Sequence, residues 1–367
     1  MDSATILARA RELGIDRAGV CTVEPFEEVR LEIERRKSEG LSDRLGFTFT
    51  DPERSTDVTR SHPWAQRLVV AARSYVPEAG DPGPGVEGTG RIARFATEDH
   101  YQPLRLALER LAGSLRDEGH EAEVLVDDNR LVDRAAAVRA GIGWWGKNTM
   151  VLTNRLGPWV LLGSVVTSAQ LDTTPVDQRS CGTCSACLPA CPTGALIAPG
   201  VLDARRCIAA LLQQRGDLPT EFREHIGDRI YGCDDCLDAC PPGMRLSDTA
   251  TERRGREDLV TLLALSDADL DARFDRFYVP GRNMRFVRRN LLVALGNSGG
   301  SGAVPALAAY AHGEDALLVE HAIWALGRIG GPEARSVLEA IEETALDAEG
   351  ARSLQLAFTR FEAPIGK

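Results

Sequence analysis

The stretch CGTCSACLPACP, residues 181–192, decides how this chain is read. It sets cysteines at 181, 184, 187 and 191 with a proline directly after the last, the C-x2-C-x2-C-x3-C-P run that wraps a [4Fe–4S] cubane. Three closely spaced thiolates can hold three irons of one cube. The fourth, beyond a short helical turn and followed by proline, points away to a second cube. A partner motif follows, made of Cys207 and then Cys233, Cys236 and Cys240 with Pro241. The pattern predicts crossed ligation: one cluster takes Cys181, Cys184, Cys187 and Cys240, and the other takes Cys191, Cys207, Cys233 and Cys236. Here the distant Cys207 replaces the nearby first cysteine of the plain repeat. Zinc is the competing reading, because C-x2-C pairs also build four-cysteine zinc sites. Zinc accounts for pairs, but not for four cysteines in eleven residues with the terminal proline and a second such set behind them.

Outward from this window the chain divides into three stretches. Residues 1–170 alternate strand-like and helical segments. The run at 67–72 (RLVVAA) reads as a buried strand, and residues 102–119 place Leu104, Leu108, Leu111 and Leu115 at helical spacing. Residues 121–128 and 158–166 read as strands, and residues 131–141 as a helix ending at Gly141. This alternation predicts an α/β or α+β domain. Residues 171–248, punctuated by proline and glycine, need their metal to hold them together and form a two-cluster, ferredoxin-like domain. Residues 249–367 read as wholly helical and contain an echo. NLLVALG from Asn290 returns as HAIWALG from His321, and AVPAL from Ala303 returns as ARSVL from Ala334, both at an offset of 31. That predicts a HEAT-like helical repeat packed on the rest of the chain.

Composition narrows the function. The chain has 367 residues and a formal net charge of −11, which disfavours indiscriminate nucleic-acid binding but permits a local basic site. No apolar run is long enough for a membrane span, and the first residues lack the plan of a signal peptide, so a cytoplasmic protein is expected. Eight of the nine cysteines fall between Cys181 and Cys240, a density that in a reducing compartment signals metal chemistry rather than disulfides. Cys21 stands apart and reads as a core residue. Two adjacent clusters form an electron relay. A plain ferredoxin does not need 170 residues ahead of its clusters, so the N-terminal stretch is expected to hold a redox cofactor. It carries no dinucleotide fingerprint: GIGWWG at 141–146 has the wrong spacing and follows a helix.

These residues resemble the cobalamin-dependent epoxyqueuosine reductases. The resemblance is carried by VDDNRLVDR (126–134), GIGWWGKN (141–148), CGTCSACLPACPTGA (181–195) and IYGCDDCLDACP (230–241), in the family's order. It implies an enzyme that reduces epoxyqueuosine to queuosine in a tRNA anticodon loop, releasing the epoxide oxygen as water. It also implies base-off cobalamin in the N-terminal domain, reduced through two [4Fe–4S] clusters by an external low-potential donor of the flavodoxin or ferredoxin type. The chain departs from the family at Asp99-His100-Tyr101, where the usual order is Asp-Tyr-His, and at Arg130, where proline is usual.

On this resemblance Asp127 is the proton donor, which the chemistry requires when a C–O bond breaks. Asp128 and Asn129 are the expected caps of the following helix, leaving Asp127 free. Lys147 and Asn148, after a glycine-rich turn, are expected cofactor contacts, and Arg94 a weaker one. The arginines Arg276, Arg282, Arg285, Arg288 and Arg289 fall within fifteen residues that hold no acid, interleaved with Phe277, Tyr278 and Phe286. Arg282, Arg285, Arg288 and Arg289 are the expected tRNA contacts, against the plainer reading of a solvated helix face. Two other functions share most of these features: a corrinoid iron–sulfur reductase of a small molecule, and a non-catalytic iron–sulfur electron carrier.

Overall fold

The apolar run at 67–72 becomes the strand Arg67–Ser74, the second of four in an antiparallel sheet. Across the sheet the order is Arg17–Thr22, Arg67–Ser74, Val160–Thr167, Ala122–Leu125, as seen in a computed structural model that describes residues 2–76, 80–247 and 254–362. The helix Tyr101–Asp117 buries Leu104, Leu108, Leu111 and Leu115 against this sheet, as the heptad-like spacing predicts. The approach is close: a Cβ on Gly163 would lie 2.7 Å from side-chain carbons of Leu108 and Val126. The helix Asp133–Arg139 packs on the strands through Ala135, Ala136 and Ala137, in one core with Leu68, Val70 and Ala72. Cys21 lies in that core, 1% exposed.

In space the chain forms two compact units, and they do not follow the three linear stretches. The first holds residues 1–80, 98–207 and 234–251; the second holds 81–97, 208–233 and 252–367. The linear boundary at 248/249 lies outside the described residues.

The second unit has its own three-stranded sheet. Thr89–Ile92 is central, parallel to Arg229–Tyr231 and antiparallel to Arg256–Asp258. That last strand corrects the wholly helical reading of 249–367: its ladder partners come from residues far back in the chain, which local periodicity cannot register. The remainder is helical: Arg285–Ser298, Val304–Ala311, Ala316–Ile329, Gly331–Glu339 and Ala348–Glu362. The echo at offset 31 is a packing repeat. Gly296 and Gly327 are the glycines of the two ALG triplets, and each lies where the next long helix crosses. A Cβ on Gly296 would lie 2.8 Å from Ala325, and one on Gly327 would lie 2.5 Å from Ala357. Among the described residues no helix is long and apolar enough to cross a membrane.

Candidate functional site: cysteine loops and an acid recess

In the first unit, Cys240 is buried in a small apolar cluster with Trp144 and Leu152, and Cys181 packs against it. Burial, with the nearby thiols of Cys181, Cys187 and Cys184, pushes the Cys240 thiol up to about 11 against the opposing Gly243 N–H. The four cysteines assigned to one cluster by the crossed pattern are thus gathered together. Four thiols so placed repel one another as thiolates, and a cationic iron core is what relieves them. Cys187 opens the four-residue helix Cys187–Ala190, after which the backbone turns extended at Cys191. The Cys191 Sγ faces elsewhere and accepts the Ala195 N–H at 3.2 Å. Cys207, Cys233 and Cys236 are half-buried.

GIGWWGKN builds the wall beside these loops. Trp144–Trp145 pairs with Val151–Leu152 in a short hairpin, and Gly143 is required because a Cβ there would lie 2.0 Å from the Leu152 carbonyl oxygen. Trp144 is core, while Trp145 is 46% exposed. Lys147 Nζ donates to the Gly182 carbonyl at 2.8 Å, beside the first cysteine loop. Asn148 is buried; its amide donates to the Cys236 carbonyl at 3.3 Å, and its Oδ1 accepts the Met150 N–H at 3.2 Å. The expected cofactor contact of Asn148 is therefore corrected: its side chain fixes a cysteine loop. Arg94 is corrected as well. It lies in the second unit, 7% exposed, with a guanidinium nitrogen 3.8 Å from Asp81. Burial in that unit's packing leaves little of its guanidinium to meet a ligand.

Asp127 follows the strand Ala122–Leu125 and adopts a left-handed backbone, φ 53°. That conformation is uncommon for a residue with a Cβ, and Asp is among the few types that tolerate it. Its side chain is exposed and makes no hydrogen bond or ion pair among the described residues. Protein mass closing round it raises its carboxyl above the usual range; Arg105 opposes the shift and Asp128 adds to it. An acid whose ionisation is disfavoured and which has no partner is placed to donate.

Asp128 does not cap the helix, which corrects that expectation. Its Oδ1 accepts the Arg130 N–H at 2.9 Å, and its carboxylate pairs with the Arg130 guanidinium at 2.6 Å. Arg130 also reaches Glu123 at 2.8 Å, and His62 Nε2 lies 3.0 Å from the same Glu123. The Arg130 pairing competes successfully for Asp128. The helix starts later, at Asp133, with Val132 at its cap and no side chain bonded there. This network holds the loop at 127–132 by its middle and leaves Asp127 free.

Two residues that carry no distinct signal in the sequence follow Asp127 along the same motif. Asp133 has a buried carboxylate oxygen with no hydrogen-bond partner. Burial raises its carboxyl well above the ordinary value, and Asp127 raises it further. Arg134 donates to the Thr149 carbonyl at 3.3 Å and stands within electrostatic reach of Tyr101, Asp133 and Cys207. It is exposed, yet desolvation by surrounding protein lowers its guanidinium, as for a side chain set in a concave surface. Their only trace in the sequence is membership of VDDNRLVDR, where the last acid reads as an ordinary first-turn helix residue.

The arginine run meets a different fate. Arg289 is fully buried and donates to the carbonyls of Gln214, Gly216 and Leu211 and to Asn290 Oδ1. Arg288 is also buried, on the carbonyls of Leu263 and Leu265 and on Asp267 at 2.8 Å. Neither can be a tRNA contact, which corrects both assignments. Counting charge along the chain could not show that the missing acids and carbonyls arrive from other segments. Arg282 and Arg285 stay half-exposed, the first paired with Asp271 and the second with Asp315 at 2.6 Å.

Comparison with known proteins agrees with this anatomy. Residues 180–243 match the 4Fe-4S double cluster binding domain, and residues 285–355 match HEAT repeats. The chain is 32% identical to an epoxyqueuosine reductase of Bacillus cereus, over 94% of this chain and 93% of that one. It is 32% identical to the Bacillus subtilis enzyme of the same name, over 94% and 92%. A crystal structure of epoxyqueuosine reductase with an epoxyqueuosine-modified tRNA-Tyr stem loop superposes with a TM-score of 0.86 at 30% identity, covering 98% of both chains. The Bacillus subtilis enzyme, with its catalytic aspartate loop swung out of the active site, superposes at 0.85 and 29% identity, over 97% and 98%. Fold and site together define an iron–sulfur oxidoreductase joined to a HEAT-like helical domain. Within that class, the chain belongs to the epoxyqueuosine reductase family.

Proposed function

We propose that this chain reduces epoxyqueuosine to queuosine in the anticodon loop of a tRNA, a task that places it in the cytoplasm. The observation that carries the chemistry is Asp127, an unpartnered, exposed carboxyl held in a left-handed turn, with its acidity weakened by its surroundings. Cys181, Cys184, Cys187 and Cys240 hold one [4Fe–4S] cluster, and Cys191, Cys207, Cys233 and Cys236 hold the other; when bound, the clusters supply one-electron transfer. Electrons come from an external low-potential donor of the flavodoxin or ferredoxin type.

Cobalamin in its base-off form fits the residues around Asp127. Arg134 is exposed, Trp145 offers an apolar face, and Lys147 spends only one of its donors, on the Gly182 carbonyl. Such a set suits a large ligand rimmed with amides; Arg134, Trp145 and the remaining donors of Lys147 would hold it. When bound, it supplies low-potential reduction of the epoxide. The chain's own part is acid chemistry: Asp127 donates a proton to the epoxide oxygen as the C–O bond breaks, so no free alkoxide has to form. The Arg130 pairings to Asp128 and Glu123 hold the loop while Asp127 stays open to substrate.

The deciding experiment is anaerobic turnover of tRNA bearing epoxyqueuosine by the reconstituted protein with cobalamin and a low-potential reductant. Formation of queuosine supports the reading. Cobalamin binding without turnover on tRNA favours reduction of a small molecule, and failure to bind cobalamin favours an electron carrier.

Two further results are expected. Reconstituted protein should carry about eight irons, and Cys240→Ser should perturb the cluster held by Cys181, Cys184 and Cys187. Electron paramagnetic resonance of the reduced protein reads this; a change confined to the cluster of Cys233 and Cys236 would refute the crossed ligation. Second, Arg282→Ala with Arg285→Ala should weaken tRNA binding and lower its log–log salt slope by about 0.7–0.9 for each phosphate the two arginines neutralise. Parallel slopes for variant and wild type would move the RNA surface off this edge.

A further inference from the structure

Reduction of an epoxide to an alkene takes up two electrons and two protons, and the oxygen leaves as water. Asp127 can give one proton before it must be recharged. The structure holds a second acid fitted to recharge it. Asp133, six residues on, opens the helix Asp133–Arg139 yet forms no hydrogen bond or ion pair among the described residues. A carboxylate in the first turn of a helix is ordinarily stabilised as the anion by the positive end of the helix dipole. One Asp133 oxygen is instead buried with no donor facing it, an arrangement that is costly for the anion and cheap for the protonated acid. The charged groups around it are Asp127 and Asp128 on the adjoining loop and Arg134 on its own helix. Asp127 and Asp133 each disfavour the other's ionisation, so each carboxyl keeps its proton more readily than a lone acid would.

We propose that Asp133 stores the second proton of the reaction and returns it to Asp127 between the two C–O cleavages. This rests on the reading of the chain as an epoxyqueuosine reductase. In the first cleavage one epoxide C–O bond breaks and the oxygen takes the Asp127 proton, becoming a hydroxyl. Asp133 then gives its proton to Asp127. In the second cleavage the remaining C–O bond breaks, the C=C bond forms, and the departing hydroxide takes the proton from Asp127 as water. The two electrons come from the external one-electron donor. Both carboxyls end ionised and are reprotonated from solvent.

Asp133 acts through Asp127, so activity alone cannot test it. The first readout is infrared spectroscopy of the folded protein at neutral pH without substrate. Wild type should show protonated carboxyl absorption that Asp133→Asn reduces and Asp133→Glu restores. The second is the pH profile of single-turnover queuosine formation: Asp133→Asn should be roughly tenfold slower, less than the loss for a direct acid, and should lack one ionisation. Asp133→Glu should regain most of the rate. Undiminished carboxyl absorption in Asp133→Asn, or a profile superposing on wild type, would overturn the proposal. Wild type that leaves epoxyqueuosine tRNA unchanged would overturn the functional reading instead, and the infrared band would still decide whether Asp133 holds a proton.

Discussion

Asp127→Asn is expected to lower turnover of epoxyqueuosine tRNA by roughly 10²-fold or more, the usual scale for a lost general acid. The amide keeps the shape of the side chain and can occupy the same left-handed turn, which Asn tolerates as well as Asp. Iron content, cobalamin binding and tRNA affinity should therefore stay at wild-type levels. The sign of the pH dependence follows from the raised carboxyl. Asp127 must be protonated to donate, so wild-type turnover should fall as pH rises through its elevated pKa. The amide cannot ionise, and the residual rate of the variant should lose that alkaline fall. Single-turnover rates across pH, with cluster and cobalamin spectra as controls, check both statements. A variant with wild-type turnover would reduce Asp127 to a structural residue in a strained turn.

The second large effect concerns stability. Arg289→Ala should destabilise the second unit by about 3–4 kcal/mol, from the cavity it leaves and from carbonyl oxygens deprived of a buried donor. Burial draws the Arg289 guanidinium down to about 9, so it remains charged at neutral pH and its hydrogen bonds are charge-assisted. They join the helix Arg285–Ser298 to the carbonyls of Leu211, Gln214 and Gly216. Arg285→Ala, four residues earlier in the same helix, removes an exposed pair with Asp315 and should cost at most about 1 kcal/mol. Urea unfolding of the two variants side by side measures the contrast. Equal midpoints would mean that the Arg289 hydrogen bonds contribute nothing. The contrast also governs how RNA-binding variants are chosen: a replacement of Arg289 that abolished tRNA binding would report a damaged core.

Much of this protein is legible from residue order alone, because its strongest signals are local. Cluster-binding cysteines must be closely spaced to wrap one cube, so 181–191 and 233–240 announce themselves without a structure, and the HEAT-like match agrees with the 31-residue echo. The strands near 67–74, 122–125 and 160–167 and the helices near 101–117 and 133–139 follow from apolar periodicity, since burial of one face is a property of neighbours along the chain. Asp127 is singled out by its motif, and its exposed, unpartnered side chain is what the structure adds.

Tertiary structure alone decided which charged groups are free. The same run of arginines supplies a buried anchor at Arg289 and a half-exposed edge at Arg285, because acceptors arrive from residues 211–216 and an acid from position 315. Asp128 has the makings of a helix cap, but Arg130 claims it; Asp133 has those of an ordinary helix start, but its oxygen is buried without a donor. A charge's role depends on what surrounds it in three dimensions. Desolvation and pairing act through space, and the order of residues along the chain does not record them.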